Sequence, residues 1–213
     1  MTVPDDLAGS FNGSMVRPGD AGYDEARAVH NGLVDKRPGL IARCHNVADV
    51  QQAVDYGRDN GLEVSVRGGG HNVAGRAVTD GGLMIDLSLM RGIDVDPRRR
   101  RARAQGGATW NEYNRATHAY GQATTGGVVS TTGVGGLTLG GGLGWLMGSC
   151  GLASDNLVSA DVVTADGRLL TASDQENPDL FWGLRGGGGN FGIVTSFEFQ
   201  LHPVSRVLGG LLI

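Results

Sequence analysis

Arg67-Gly68-Gly69-Gly70-His71-Asn72 sets a guanidinium, three residues without side chains and an imidazole in six consecutive positions. Each type suits one part of holding a phosphorylated ligand. Glycine at 68 to 70 lets the chain turn with positive φ and lets a ligand lie directly on peptide N–H groups. Successive N–H groups in such a turn form a concavity for anions, and the donor fork of Arg67 matches phosphate oxygens. His71 carries an imidazole that is mostly neutral at pH 7, available as a nucleophile or a base. Taken alone, the stretch also reads as a flexible glycine turn with an incidental histidine, because short glycine motifs match by chance.

A second array, Gly126 to Gly144, sets glycines among small polar and β-branched residues. Each glycine inside a helix or strand costs about 0.5–1 kcal/mol, so no ordinary element is expected there without a compensating reason. Backbone lying against a large flat ligand is one such reason. Gly187-x-Gly189-x-x-Gly192 has the spacing of a dinucleotide-binding turn but not its context: an alternating strand follows it, and no acidic residue occurs after Glu198. A Walker phosphate loop is excluded too, since Lys36 is the only lysine.

The elements that must position these loops are legible in the pattern. Leu62, Val64 and Val66 alternate with Glu63 and Ser65, the period of a half-buried strand with the valines inward, and the strand stops in the first glycine loop. Upstream, Leu40 to Cys44 reads as a strand. Asn46 is placed to cap a helix over 47–60, with Val47, Val50, Val54 and Gly57 on one face and Gly61 as its stop. Strand, helix and strand in about 30 residues predict parallel strands with a right-handed crossover. The first glycine loop then lies at the carboxyl end of a parallel strand, where ligands of α/β sheets commonly bind. Further strands are expected at 83–87, 92–96 and 101–105. Thr109-Trp110-Asn111-Glu112 matches a capping box opening a helix to His118. Asp166-Gly167 marks a hairpin, Pro178 to Leu184 a short helix, and Phe197, Phe199 and Leu201 an amphipathic strand. The fold class is α+β, a small parallel unit followed by a more antiparallel one.

Composition narrows the classes. The 213 residues carry a net charge of -4, which gives no basic footprint for nucleic acid, and the run Arg98 to Arg103 reads as a solvated hairpin tip. Cys44 and Cys150 make neither a disulfide framework nor a metal pattern. No apolar run is long enough for a membrane span and no signal peptide is evident, so a cytoplasmic protein without membrane partners is expected.

The first loop, extended through Val73-Ala74-Gly75, resembles the flavin-attachment loop of FAD-linked oxidases of the vanillyl-alcohol-oxidase superfamily, in the berberine-bridge-enzyme-like branch. The resemblance continues in the family's order through Gly140 to Gly144, Gly151-Leu152-Ala153-Ser154-Asp155-Asn156 and Asp179 to Thr195. It implies a PCMH-type FAD-binding domain of two small α/β subdomains with FAD between them, occupying 37–204 after a lead-in over 1–36. Residues 205–213 would begin a substrate-binding domain that is missing here. By the same resemblance FAD is bonded through His71 to its 8α-methyl group. Arg67, Gly68, Gly69, Gly70, Asn72, Gly75, Thr132, Gly133, Gly136, Gly140, Gly141, Gly144, Ile193 and Val194 would line the cofactor.

Two departures matter. Some members attach FAD a second time through a cysteine, and Val129 stands at that position here, so a single attachment is expected. The residue governing oxygen access in relatives falls near Thr132, where several oxidases carry valine. The implied activity is hydride transfer from a small alcohol, sugar or amine to flavin, then on to O2. The missing substrate domain would be supplied by more sequence or a separate chain. Alternatives are an electron-transfer module or an inactive fragment. No catalytic base is assigned: His30, His45, His118 and His202 read as surface or structural residues, and Tyr113 and Tyr120 as packing.

Overall fold

The computed structural model describes residues 11–207. Strands β1 (Ser14–Val16), β2 (Leu40–Arg43), β3 (Val64–Arg67) and β4 (Leu83–Asp86) form a first sheet in the order β1-β2-β4-β3. β2 and β3 run parallel as the crossover requires, but β4 lies between them and pairs in parallel with each. Residues 11–36, expected as a lead-in, add β1 to this sheet and a short helix α1 (Tyr23–Arg27) whose Tyr23 hydroxyl donates to the Pro38 carbonyl at 2.7 Å.

The crossover helix α2 (Val47–Asp59) forms where the sequence places it. The Asn46 side chain accepts from the Asp49 N–H at 3.0 Å, satisfying one of the free donors of the first turn. Gly61, at φ 60°, ends the helix in the left-handed region that side chains avoid. Val50, Ala53 and Val54 pack on Leu40, Leu83 and Ile85, each large aliphatic contributing about 1.5–3 kcal/mol when fully buried. The expectation for β3 needs correction. Val64 and Val66 pair with Leu83 and Ile85 and so share their face, yet they stay 41% and 36% exposed while Ser65 is buried. β3 ends the sheet, and alternation alone cannot distinguish an edge strand from an inner one.

The second lobe is antiparallel. β5 (Ile93–Asp96), β6 (Arg101–Gln105), β8 (Leu157–Val163), β9 (Leu169–Ser173) and β10 (Ile193–Gln200) make a sheet ordered β5-β6-β10-β8-β9, and the short β7 (Gln122–Ala123) pairs with β11 (His202–Pro203). Against the large sheet lies α3 (Trp110–His118), whose start is fixed by Glu112 accepting from the Thr109 N–H and hydroxyl, both at 2.8 Å. Its Trp110 and Tyr113 pack edge to face at 5.2 Å and both touch Phe199. Three short α-helices, α4 (Val134–Leu139), α5 (Met147–Cys150) and α6 (Pro178–Leu184), lie in the lobe with 3-10 turns at Ser154–Asn156 and Gly188–Phe191. α4 is a correction, since the glycine-rich array was not expected to hold a regular element. Val163 and Ile193 of the second sheet join Val50, Ile85 and Met90 in one core cluster, so the two lobes share their packing. Residues 205–207 continue past β11 without regular structure, and the rest of the segment expected to open a further domain lies outside the described residues, as does the start of the lead-in.

Candidate cofactor site

The loop after β3 emerges where the lobes meet. A Cβ on Gly69 would fall 2.3 Å from the Gly133 nitrogen, and one on Gly133 would fall 2.3 Å from the Gly69 nitrogen. The two loops therefore touch backbone to backbone, at a distance only glycine allows. Gly68 also comes close to the Gly106 carbonyl, 2.9 Å from where its Cβ would be, and Gly70 turns at φ 69°. The N–H groups of Gly68, Gly69, Gly70 and His71, which span this contact, donate to nothing among the described residues. Four consecutive free donors at the carboxyl end of a parallel strand fit the phosphates of a dinucleotide.

Arg67 is not one of those donors. Its guanidinium grips Asp86 through Nε at 3.1 Å and Nη2 at 2.8 Å, and its Nη1 donates to the Ala28 carbonyl at 3.0 Å. Asp86 is fully buried and also accepts from the Ser88 N–H and hydroxyl. The expected phosphate contact is thereby corrected: a buried carboxylate has first claim on the fork, and Arg67 holds the loop's root.

His71 points toward the second lobe. Its Nε2 lies 2.9 Å from the Thr131 hydroxyl, and its ring is stacked on that of His30, centroids 4.0 Å apart and planes 14° from parallel. Partial burial and the facing His30 ring both hold its pKa below the ordinary value, which keeps the imidazole neutral. His30 in turn donates its backbone N–H to the Gly70 carbonyl at 3.0 Å. The sequence does not single out Thr131, and it reads His30 only as a surface or structural residue. They lie 60 and 41 positions from His71, and no local pattern links them.

The other expected positions separate into two sets. Gly136 is exposed on α4 with open space where a Cβ would be, and Gly140 ends that helix with no neighbour nearer than 3.5 Å; both can face a flat ligand. Gly141, at φ 100°, allows the turn that follows. Thr132 spends its carbonyl on the Trp110 N–H. By contrast Gly144 is tight against the Gly126 carbonyl, and Gly75, at φ 69°, against Val34. The Asn72 carboxamide accepts from the Ala74 and Arg76 N–H groups, closing its own turn. The side chains of Ile193 and Val194 are buried in the two cores. For Asn72, Gly75, Gly144, Ile193 and Val194 the side-chain position is thus spent on the protein, which leaves their backbone to face a ligand.

Among the remaining candidates, Tyr113 is fully buried, where desolvation drives its hydroxyl pKa upward, and Tyr120 is exposed rather than packed. His45 and His118 are exposed and His202 meets the Asn156 carboxamide oxygen at 2.6 Å. Cys44 is buried with its thiol pKa pushed up, and Cys150 is half-buried and free. Grooves of about 430 and 440 Å³ lie beside α3 and along β5, and neither includes a residue of the 67–75 loop.

A family model described as FAD binding domain matches residues 38–173. The chain belongs to that FAD-binding family. It is 44% identical over 204 residues to (R)-6-hydroxynicotine oxidase of Paenarthrobacter nicotinovorans, covering 95% of this chain and 44% of that protein. The crystal structure of 6-hydroxy-D-nicotine oxidase from Arthrobacter nicotinovorans superposes with a TM-score of 0.91 at 43% identity, over 95% of this chain and 44% of that one. A berberine-bridge-enzyme-like protein of Physcomitrella patens gives 0.90 at 30% identity, over 96% and 45%. Glucooligosaccharide oxidase of Acremonium strictum, described with a 6-S-cysteinyl, 8α-N1-histidyl FAD, gives 0.86 at 37%, over 92% and 41%. The chain thus spans a little under half the length of these relatives. Its two-lobed α+β architecture is the PCMH-type FAD-binding domain of FAD-linked oxidoreductases.

Proposed function

We propose that this chain holds FAD across the junction of its lobes and bonds it to His71, as the flavin-binding half of an oxidoreductase acting on a small alcohol, sugar or amine. The observation carrying this reading is the run of free N–H groups from Gly68 to His71, set beside a neutral imidazole where the second lobe's glycine array arrives. Bound FAD supplies a two-electron acceptor for hydride, and dioxygen is the proposed final acceptor. The chain's own groups bind and orient. The 68–71 amides take the pyrophosphate charge, and the exposed backbone of Gly136 and Gly140 offers a flat surface. Val129 in place of a second attachment cysteine makes His71 the single tether. No base that deprotonates substrate is assigned among the described residues, and the proposal takes substrate contacts from sequence corresponding to the relatives' remaining length, on this chain or a separate one.

The test is to supply FAD, precipitate the protein with acid and measure flavin absorbance in the washed pellet. Flavin in the pellet, mapped by peptide mass to His71 and lost in His71→Ala with reversible binding retained, is the expected result. Unchanged acid-stable flavin in His71→Ala would overturn the assignment.

A further inference from the structure

We propose that His30 is a positioning residue for His71, its stacked ring fixing the plane in which that imidazole meets the flavin while the Thr131 hydroxyl fixes which ring nitrogen is left to react. This rests on the attachment reading above and goes beyond it, because it assigns the two groups that aim the nucleophile.

The geometry comes from three separate segments. The His30 ring covers one face of His71 at 4.0 Å and nearly parallel, so the His71 ring cannot rotate without giving up that contact. Backbone holds His30 in register: its N–H bonds the Gly70 carbonyl, immediately before His71, and the Arg67 guanidinium grasps the Ala28 carbonyl two residues upstream. From the second lobe Thr131 engages Nε2 at 2.9 Å. In the tautomer that donates from Nε2 to that hydroxyl, Nδ1 keeps its lone pair and has no partner among the described residues.

The bond-forming step needs this arrangement. His71 forms one N–C bond to the methyl carbon on the flavin ring. One proton leaves that carbon and one leaves the imidazole, and the two electrons pass through the flavin to dioxygen, which departs as hydrogen peroxide. A protonated imidazole has no lone pair to give, so the ring must be neutral as well as aimed. The rings face each other, Thr131 and the Gly70 carbonyl; neither pairs with a carboxylate among the described residues, and the loop's own charge, Arg67, is turned to Asp86. Charging His71 would set an imidazolium face to face with a second imidazole ring.

The experiment uses the 213-residue chain as wild type, His30→Ala and His30→Phe. NMR follows the His71 ring protons through a pH titration without FAD, and acid precipitation follows covalent uptake of added FAD. In His30→Ala the His71 ring protons are expected to move downfield on losing the stacked ring, and attachment to slow by roughly tenfold or more, as misaimed reacting groups do. His30→Phe keeps a flat ring: it is expected to preserve the ring-current shift and the attachment rate, while the His71 midpoint moves up once the facing imidazole is gone. A purely structural role for His30 would not move that midpoint. Wild-type attachment in His30→Ala, or unchanged His71 resonances, would overturn the positioning role alone. Absence of acid-stable flavin from the wild type would overturn the attachment reading, and this inference with it.

Discussion

Gly69 and Gly133 lie so close that a methyl group on either would sit 2.3 Å from the other's backbone nitrogen. The contact closes the two lobes around the cofactor loop, and its distance is set by the absence of side chains on both sides. Gly133 has an ordinary extended φ of -69°, so alanine there meets no dihedral penalty and tests the contact alone. Gly133→Ala is expected to destabilise the chain by about 1–3 kcal/mol, the usual cost of overpacking, and to weaken FAD binding as the loops separate. Denaturant unfolding and flavin titration check it. A variant with wild-type stability would show that the lobes do not close on this pair.

Gly136 offers the opposite test, because a Cβ there meets only open space. Exposed and within α4, it gains helix propensity on becoming alanine, by about 0.5–1 kcal/mol. If the flavin lies against that surface, Gly136→Ala is expected to raise the melting temperature of the FAD-free chain while lowering its FAD affinity. Higher stability with unchanged affinity would remove Gly136 from the cofactor surface.

The Arg67–Asp86 pair is expected to matter for folding before it matters for ligand. Asp86 is fully buried between the Arg67 guanidinium, whose side chain is 14% exposed, and Arg43 Nε at 3.4 Å, so removing the carboxylate's charge takes the counter-ion from both cations. Asp86→Asn should cost about 3–5 kcal/mol, as breaking buried ion pairs does, and should do so without FAD present. Arg67→Lys should be damaging too, because a point charge cannot replace the two-pronged contact. Denaturant unfolding of the FAD-free variants is the readout. A stable Asp86→Asn chain that fails only in FAD binding would return Arg67 to the phosphate.

These cases show which parts of the molecule the sequence made readable. The Asn46 cap, the Thr109–Glu112 box and the Asp166-Gly167 turn act within a few residues, so their patterns located α2, α3 and the β8–β9 hairpin closely. The first glycine loop was equally visible, because its chemistry is carried by consecutive residues. What could not be read were competitions decided across the fold. Arg67 had a phosphate on offer locally and a buried carboxylate 19 positions away, and the carboxylate took it. Gly144 reads locally as open ligand surface, yet the Gly126 carbonyl lies against its Cβ position. Val64 and Val66 alternated as inward residues do, and only the sheet order revealed an edge. His30 read as a surface histidine, and it is exposed; its partner ring made the difference.

His71 also predicts how stability responds to acid. Partial burial first, and the facing His30 second, depress its pKa in the folded state below the ordinary value of about 6.5. The folded chain therefore favours the neutral ring, while the unfolded chain binds a proton more readily as the pH falls. Stability from this group is fully present above about pH 6.5 and is lost as pH drops through the folded-state value. His71→Gln has no such proton to bind. Between pH 7 and pH 5 the wild-type chain without FAD should lose more unfolding free energy than His71→Gln, and the two curves should converge in slope above pH 7. Covalent FAD changes the comparison, because an alkylated imidazole titrates differently, so the measurement belongs to the FAD-free protein. Parallel curves through the whole range would mean that His71 is as solvated in the folded chain as in the unfolded one, and that neither burial nor His30 keeps it ready as a nucleophile.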